Sequence, residues 1–508
     1  MGKAETMPDN LVIGIDSSTT ATKTVAFDRN GNAVAEGRAA IAMTNPQAGF
    51  YEQDPSDWWQ SLQAACQDLG RKIDLARVAA VSISNQRETI AILNDQDEAL
   101  RPGILWLDER GRPDVELLSQ SIGRERLLQI TGKTPDPTPA LYGLHWLKRH
   151  EPESLTNAAM ITDVHGFLVR KLTGAFATSW ASADPPGLYD LAHKCYSPEL
   201  LDLLGLTTAQ LPRAERPASI MGSVTDLAAA GTGLPAGTKI VAGGGDGQAA
   251  GLGTGTIKPG RAYFNLGTAA VSGVFGQDYG TDPAFRTLLS LTGDGYIFEL
   301  CLRTGTFLVD WYVKDLLGAN ASYQELEAQA AELPIGASGL ILQPYWLGVM
   351  NPYWDQHAKG TIIGLSSEHG PAHLYRALLE GIALDEAMGL RGIEQVTGRT
   401  VDEILAIGGG SNSPLWCQII ADATGKPVHC LGTAEASALG AAMTAAVAAG
   451  WFADAHEAST AMSGHIERSY QPDNTAHGSY AELLSIYQEL YPTLSSAYAK
   501  LGAFRTKQ

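Results

Sequence analysis

The chain has 508 residues, 55 of them glycine, and a formal charge of −19 from 36 basic and 55 acidic side chains. At roughly 100–200 residues per domain this length holds more than one domain with ample core, and a hydrophobic share of 44% excludes a disordered chain. The acidic balance argues against nucleic acid and against an anionic membrane surface as partners, yet it leaves room for a local anion site built from backbone N–H groups.

Residues 11–16 form an apolar run ending at Asp16. A polar turn at 17–20 (SSTT) follows, and the run resumes at 24–27 before a turn at 28–32. This predicts strand, turn, strand, hairpin turn and a third strand. A helix is expected over 52–73, opened by Asp54, Pro55 and Ser56, with Trp58, Leu62, Ala65 and Leu69 on one face. Residues 78–84 read as a buried strand, so the first part is α/β. A second strand–turn–strand is expected at 261–275, turning at Gly267 and Thr268. Thr268 lies 249 residues after Thr19, about half the chain, which predicts a long-period duplication. The Gly- and Pro-bearing segment 251–260 marks the boundary, giving lobes 1–254 and 255–508. Further on, 404–407 reads as strand, and 414–424 and 434–449 as helices.

Sparse cysteines without a C-x-x-C pair read as reduced thiols of a cytoplasmic protein. No apolar run approaches the ~18 residues that cross a bilayer. Gly2 and Thr6 fit the loose myristoylation pattern, a match that chance explains.

Glycine is about 11% of the chain, against a usual ~7%, so nucleotide loops need testing. A P-loop fails because Leu127 stands where Gly132-Lys133-Thr134 would need its first glycine. Gly245, Gly247 and Ala250 meet a dinucleotide fingerprint formally, but Asp246 between the glycines would repel a pyrophosphate. Asp246 reads better as a catalytic carboxylate. Residues 240–242 form a strand, Gly243, Gly244 and Gly245 turn the backbone sharply, and a helix starts at 248. That places Asp246 at a strand's C-terminal end, where open α/β sheets bind ligands; a plain helix cap is the alternative.

The turns at Thr19, Thr20, Gly267 and Thr268 offer N–H groups and hydroxyls to an anion. Asp16, with Lys23 nearby, suits a carboxylate beside Mg²⁺, where an ordinary turn aspartate is the plainer reading. Gly408, Gly409 and Gly410 before Asn412 let a flat group such as a nucleobase lie against backbone. Arg87 with Glu88, and Trp106 with Asp108 and Arg110, are donor–acceptor sets of the kind that grip neighbouring hydroxyls; surface ion pairs are the commoner source of such pairs. His369 and His373 have the spacing of a zinc motif, but Gly370-Pro371 between them speaks against metal.

In order, 11–27 (LVIGIDSSTTATKTVAF), 84–89 (SNQRET), 243–253 (GGGDGQAAGLG), 265–268 (NLGT), 360–380 (GTIIGLSSEHGPAHLYRALLE) and 407–428 (IGGGSNSPLWCQIIADATGKPV) resemble the FGGY carbohydrate kinase family over almost the whole chain. The resemblance implies an α/β fold of two actin/hexokinase-like (ribonuclease H-like) domains around a cleft, the N-terminal one on the sugar side and the C-terminal one on the nucleotide side, with the last helices packing back. It implies an ATP- and Mg²⁺-dependent phosphotransferase acting on a small sugar or polyol, and leaves a homodimer open. Asp246 then resembles the catalytic base and a metal-side carboxylate with Asp16. Thr19, Thr20, Lys23, Gly267 and Thr268 fall at the phosphates, and Gly409, Gly410 and Asn412 near adenosine. Arg87, Glu88, Trp106, Asp108, Arg110 and Thr138 fall at the acceptor.

The departures are Thr138 and Val271, where glycerol kinases carry Tyr and Phe, and Gly143 in place of a common Lys. Xylulokinases, in turn, carry Gln-Met-His at Gln86-Arg87-Glu88. A roomier pocket implies a pentulose such as xylulose; glycerol or another polyol is the alternative acceptor, and a catalytically silent sugar or nucleotide sensor the alternative role.

Overall fold

The computed structural model describes residues 10–432 and 435–505; Gly2, Thr6 and Ala434 lie outside the described residues. Two mixed sheets organise it. The first contains β1 (Leu11–Ser17), β2 (Ala21–Phe27), β3 (Ala33–Ala40), β4 (Val78–Asn85), β5 (Ile220–Ser223) and β6 (Lys239–Gly245), in the order β5-β6-β4-β1-β2-β3. The second contains β7 (Arg261–Leu266), β8 (Ala270–Gly276), β9 (Arg286–Leu289), β10 (Tyr296–Leu302), β11 (Glu403–Ile407), β12 (Val428–Leu431) and β13 (Ile466–Tyr470), in the order β9-β10-β8-β7-β11-β12-β13.

The duplication is visible strand by strand. β1 pairs antiparallel with β2 and parallel with β4, as β7 pairs antiparallel with β8 and parallel with β11. Next in each row comes another parallel strand, β6 or β12, and then an antiparallel edge strand, β5 or β13. Thr19 and Thr268 therefore occupy equivalent hairpin turns. Glu88 and Gly409 lie in equivalent loops after the parallel strands.

The helix expected over 52–73 is shorter: α1 spans Pro55–Gly70. Asp54 caps it by accepting from the Ser56 N–H at 2.8 Å, and Glu52–Gln53 join a small four-stranded sheet instead. α2 (Asp246–Gly253) and α5 (Ala436–Ala448) pack on each other, and α5 also lies on β1. α3 (Pro371–Thr397) and α4 (Pro414–Thr424) cover the second sheet. The last helix, α6 (Asn474–Arg505), packs on α4 and α3.

The α2–α5–β1 seam is made of Gly and Ala so that backbones touch. A Cβ on Gly14 would lie 1.8 Å from the Ala438 carbonyl oxygen, and one on Gly440 1.9 Å from that of Ala249. Among the described residues no helix is long and apolar enough to cross a membrane.

Candidate active site

Asp246 is the first residue of α2, reached straight from β6. The sequence predicts a sharp turn at the three glycines before it, but they do not turn the chain. They finish the strand, and none has a positive φ. Close approach explains them: a Cβ on Gly243 would lie 2.1 Å from the Ile83 carbonyl oxygen, and one on Gly245 2.5 Å from Cγ and Cδ of Arg87.

Asp246 Oδ1 accepts from the Gly247 N–H at 2.7 Å and forms an ion pair with Arg87, whose Nε lies 2.8 Å away. Its side chain is 42% exposed, whereas that of Arg87 is 8%. Arg87 Nη1 reaches Glu299 at 2.7 Å. Glu299, wholly buried, also receives Arg286, and Arg286 Nη1 returns to Glu88 at 3.1 Å. Buried charges persist only when paired. Burial raises the Glu88 carboxyl, while for Glu299 the two guanidiniums outweigh burial and hold it low. Glu299 and Arg286 were not found in the sequence. The available signal was a lone charge inside each of two apolar strands (RTLL, YIFELCL).

Asp16, at the end of β1, has its carboxyl pushed up to about 7 by burial first, then by the carboxylates of Asp246 and Glu435; Ser84 and Lys23 act in the opposite sense. Lys23 Nζ bonds Glu435 at 2.5 Å. Glu435 was also missed, although it precedes α5 much as Asp246 opens α2. One ammonium among three acids is the surrounding that a divalent cation would relieve. Among the described residues no three acidic, His or Cys side chains converge to hold an ion unaided.

In protein free of nucleotide and divalent cation, the folded form keeps the Asp16 proton up to about pH 7, while the unfolded chain releases it near 3.8. Its contribution to stability is therefore present at low pH and lost as pH rises through 7. The melting temperature of Asp16→Asn minus that of wild type should widen from about pH 5 to about pH 8; a flat difference counts against this electrostatic reading.

The other sequence candidates fall in three places. Thr19 Oγ1 accepts from the Trp106 indole N–H at 3.0 Å, and its carbonyl from Gln53 at 2.6 Å. Thr20 and Thr268 are exposed at their turns. The carbonyls of Gly267 and Thr268 accept at 2.8 Å from the N–H groups of Thr306 and Gly305. Thr138 bonds Asp136 and receives Arg303 at 3.2 Å. In the loop at 408–412, only Gly409 presents open backbone. Gly408 has φ +84°, and a Cβ on Gly410 would lie 2.5 Å from Trp416. Asn412 is exposed and accepts from Arg468 at 3.4 Å.

Asp108 and Arg110 do not form an open donor–acceptor set. They bond each other at 2.7 Å, Arg110 also bonds Glu52 at 2.7 Å, and its guanidinium lies 4.3 Å from the Phe50 ring centroid. Both are buried, because a guanidinium with two carboxylates and an aromatic face needs no water.

Comparison with known proteins follows the same division. The chain is 28% identical to the xylulose kinase of Bacillus subtilis (strain 168) over 506 residues, covering 97% of this chain and 99% of that one. It is 30% identical to the autoinducer-2 kinase of Klebsiella pneumoniae subsp. pneumoniae over 520 residues, covering 95% and 94%. The structure of a ligand-bound xylulose kinase from Lactobacillus acidophilus superposes with a TM-score of 0.91 at 26% identity, covering 97% and 99%. Residues 11–253 match the N-terminal domain and 262–449 the C-terminal domain of one family, and the chain therefore belongs to the FGGY family of carbohydrate kinases.

Proposed function

We propose that this kinase transfers the γ-phosphate of ATP to a hydroxyl of an uncharged ketopentose, with xylulose the first choice. The observation that carries the reading is the Asp246–Arg87–Glu299–Arg286–Glu88 network. Three carboxylates meet two guanidiniums there, so the network has no surplus positive charge for an anionic sugar acid. Arg87 donors and Glu88 acceptors suit neighbouring hydroxyls. Thr138 in place of a larger aromatic leaves room for a longer chain than a triol. The xylulose kinases among the relatives and solved structures point the same way.

In this reading Asp246 Oδ1 is committed to Gly247 and Arg87, which leaves Oδ2 to accept the proton of the attacking hydroxyl. Arg87, Glu88, Trp106 and Thr138 orient the acceptor. Asp108 and Arg110 support that wall from behind, through Glu52. The hairpin turns with Thr19, Thr20, Gly267 and Thr268 receive the phosphates, Lys23 adds charge, and Gly409, Gly410 and Asn412 lie toward adenosine. Asp16 and Asp246 would be the residues toward Mg²⁺, which would supply positive charge against the phosphates. The lobes are residues 1–254 and 255–508, and the reaction runs in the cytoplasm, where ATP is supplied.

A panel of xylulose, ribulose, glycerol, gluconate and other sugars and polyols, followed by ADP release, tests this. The ketopentoses should give the highest kcat/KM. A preference for gluconate or for glycerol alone overturns the acceptor assignment, and no response from any acceptor favours a sensor.

A further inference from the structure

We infer that Glu299 and Arg286 are positioning residues for the acceptor end of the site: the second sheet, not the loop that carries them, sets the orientation of Arg87 and Glu88. The inference rests on the reading of Arg87 and Glu88 as acceptor contacts. Both belong to the loop after β4 of the first sheet, while Arg286 and Glu299 face each other across β9 and β10 of the second. The pairs cross over. Arg87 goes to Glu299 at 2.7 Å, Glu88 to Arg286 at 3.1 Å, and Glu299 and Arg286 bond each other.

Three further features agree. Glu88 holds φ +57°, a conformation that a non-glycine residue keeps only when its surroundings impose it. The chain is shaped to let Glu299 through: a Cβ on Gly247 would lie 2.6 Å from Glu299 Oε2 and 3.1 Å from the Arg87 guanidinium carbon. The two glycines flanking Asp246 thus form a bed for Arg87, Gly245 under its stem and Gly247 under its head. Finally, Arg286 Nε is buried without a partner among the described residues, so that side chain is held by its two Nη contacts rather than by a general polar shell.

The test uses whichever acceptor wins the panel, so a wrong choice of sugar and a wrong positioning role are read separately. Glu299→Gln should raise acceptor KM by about ten- to hundredfold, with kcat falling less and ATP KM within about twofold of wild type. In an Arg87→Ala background the same substitution should add clearly less than it costs alone, because its direct partner is gone and only the branch through Arg286 to Glu88 remains. Arg286→Lys, which keeps the charge but not the fork, should reproduce the acceptor effect and serves if Glu299→Gln does not fold. Glu299→Asp should recover part of the loss. Unchanged acceptor KM, a parallel rise in ATP KM, or full additivity with Arg87→Ala would each overturn the inference.

Discussion

Asp246→Asn should lower kcat by roughly 10²–10⁴-fold, the usual worth of a positioned general base, while ATP affinity measured by calorimetry stays within about twofold of wild type. Asparagine keeps the shape and keeps an oxygen for the Gly247 N–H and Arg87 Nε, which hold Oδ1 at 2.7 and 2.8 Å. What it loses is the charge on the outward oxygen and the capacity to take a proton. Asp246→Ala is a poorer test, since it would leave the buried Arg87 without one of its two carboxylates. The contrast between chemistry lost and nucleotide binding kept is the informative part. Near-normal turnover in Asp246→Asn would remove Asp246 from the chemistry, and a matching loss of ATP affinity would make it a structural acid.

The second large effect concerns stability. Gly14→Ala and Gly440→Ala should each destabilise by at least ~1–3 kcal/mol, the range for overpacked cores. The new methyl groups would lie 1.8 Å from the Ala438 carbonyl oxygen and 1.9 Å from that of Ala249. Both obstacles are backbone, so no rotamer relieves them and α5 must separate from β1 or from α2. Thermal denaturation should show a drop of several degrees at ~2–4 °C per kcal/mol, or soluble protein should be lost. Gly143→Ala is the control: it lies within the helix Ala140–His150 and its nearest neighbour is Ile104 Cγ2 at 3.8 Å, so it should not destabilise and should gain up to ~1 kcal/mol of helix propensity. Equal effects at Gly143 and Gly14 would refute the account of the seam.

The position of Asp246 was legible because a strand running into glycines and an acid is a local pattern. The purpose of those glycines was not. Sequence shows that glycine lacks a side chain, but whether this serves a turn or a close neighbour depends on what lies across from it. At 243–245 Ile83, Leu291 and Arg87 are close neighbours from distant parts of the chain, and only Gln248, beside Gly245, is local. The same limit separates the two donor–acceptor sets. Arg87-Glu88 and Asp108/Arg110 look alike along the chain, yet the first finds its partners on the second sheet, with Glu299 212 residues away. The second set closes on itself and on Glu52. The repeat was legible from two hairpins with threonine turns, and the matched strand orders extend it to whole sheets. Following it one element further would have revealed Glu435 before α5.

That correspondence gives the molecule a polarity. Two acids stand at the starts of two helices that pack on each other, in corresponding places of the two sheets. Only one meets an arginine: Asp246 faces Arg87, whereas Glu435 pairs with Lys23. In the proposed mechanism the arginine holds one oxygen of its acid and leaves the other for an incoming alcohol, whereas the lysine engages Glu435. On this reading a single asymmetric choice of counter-ion tells the two halves apart at the one place where their helices meet.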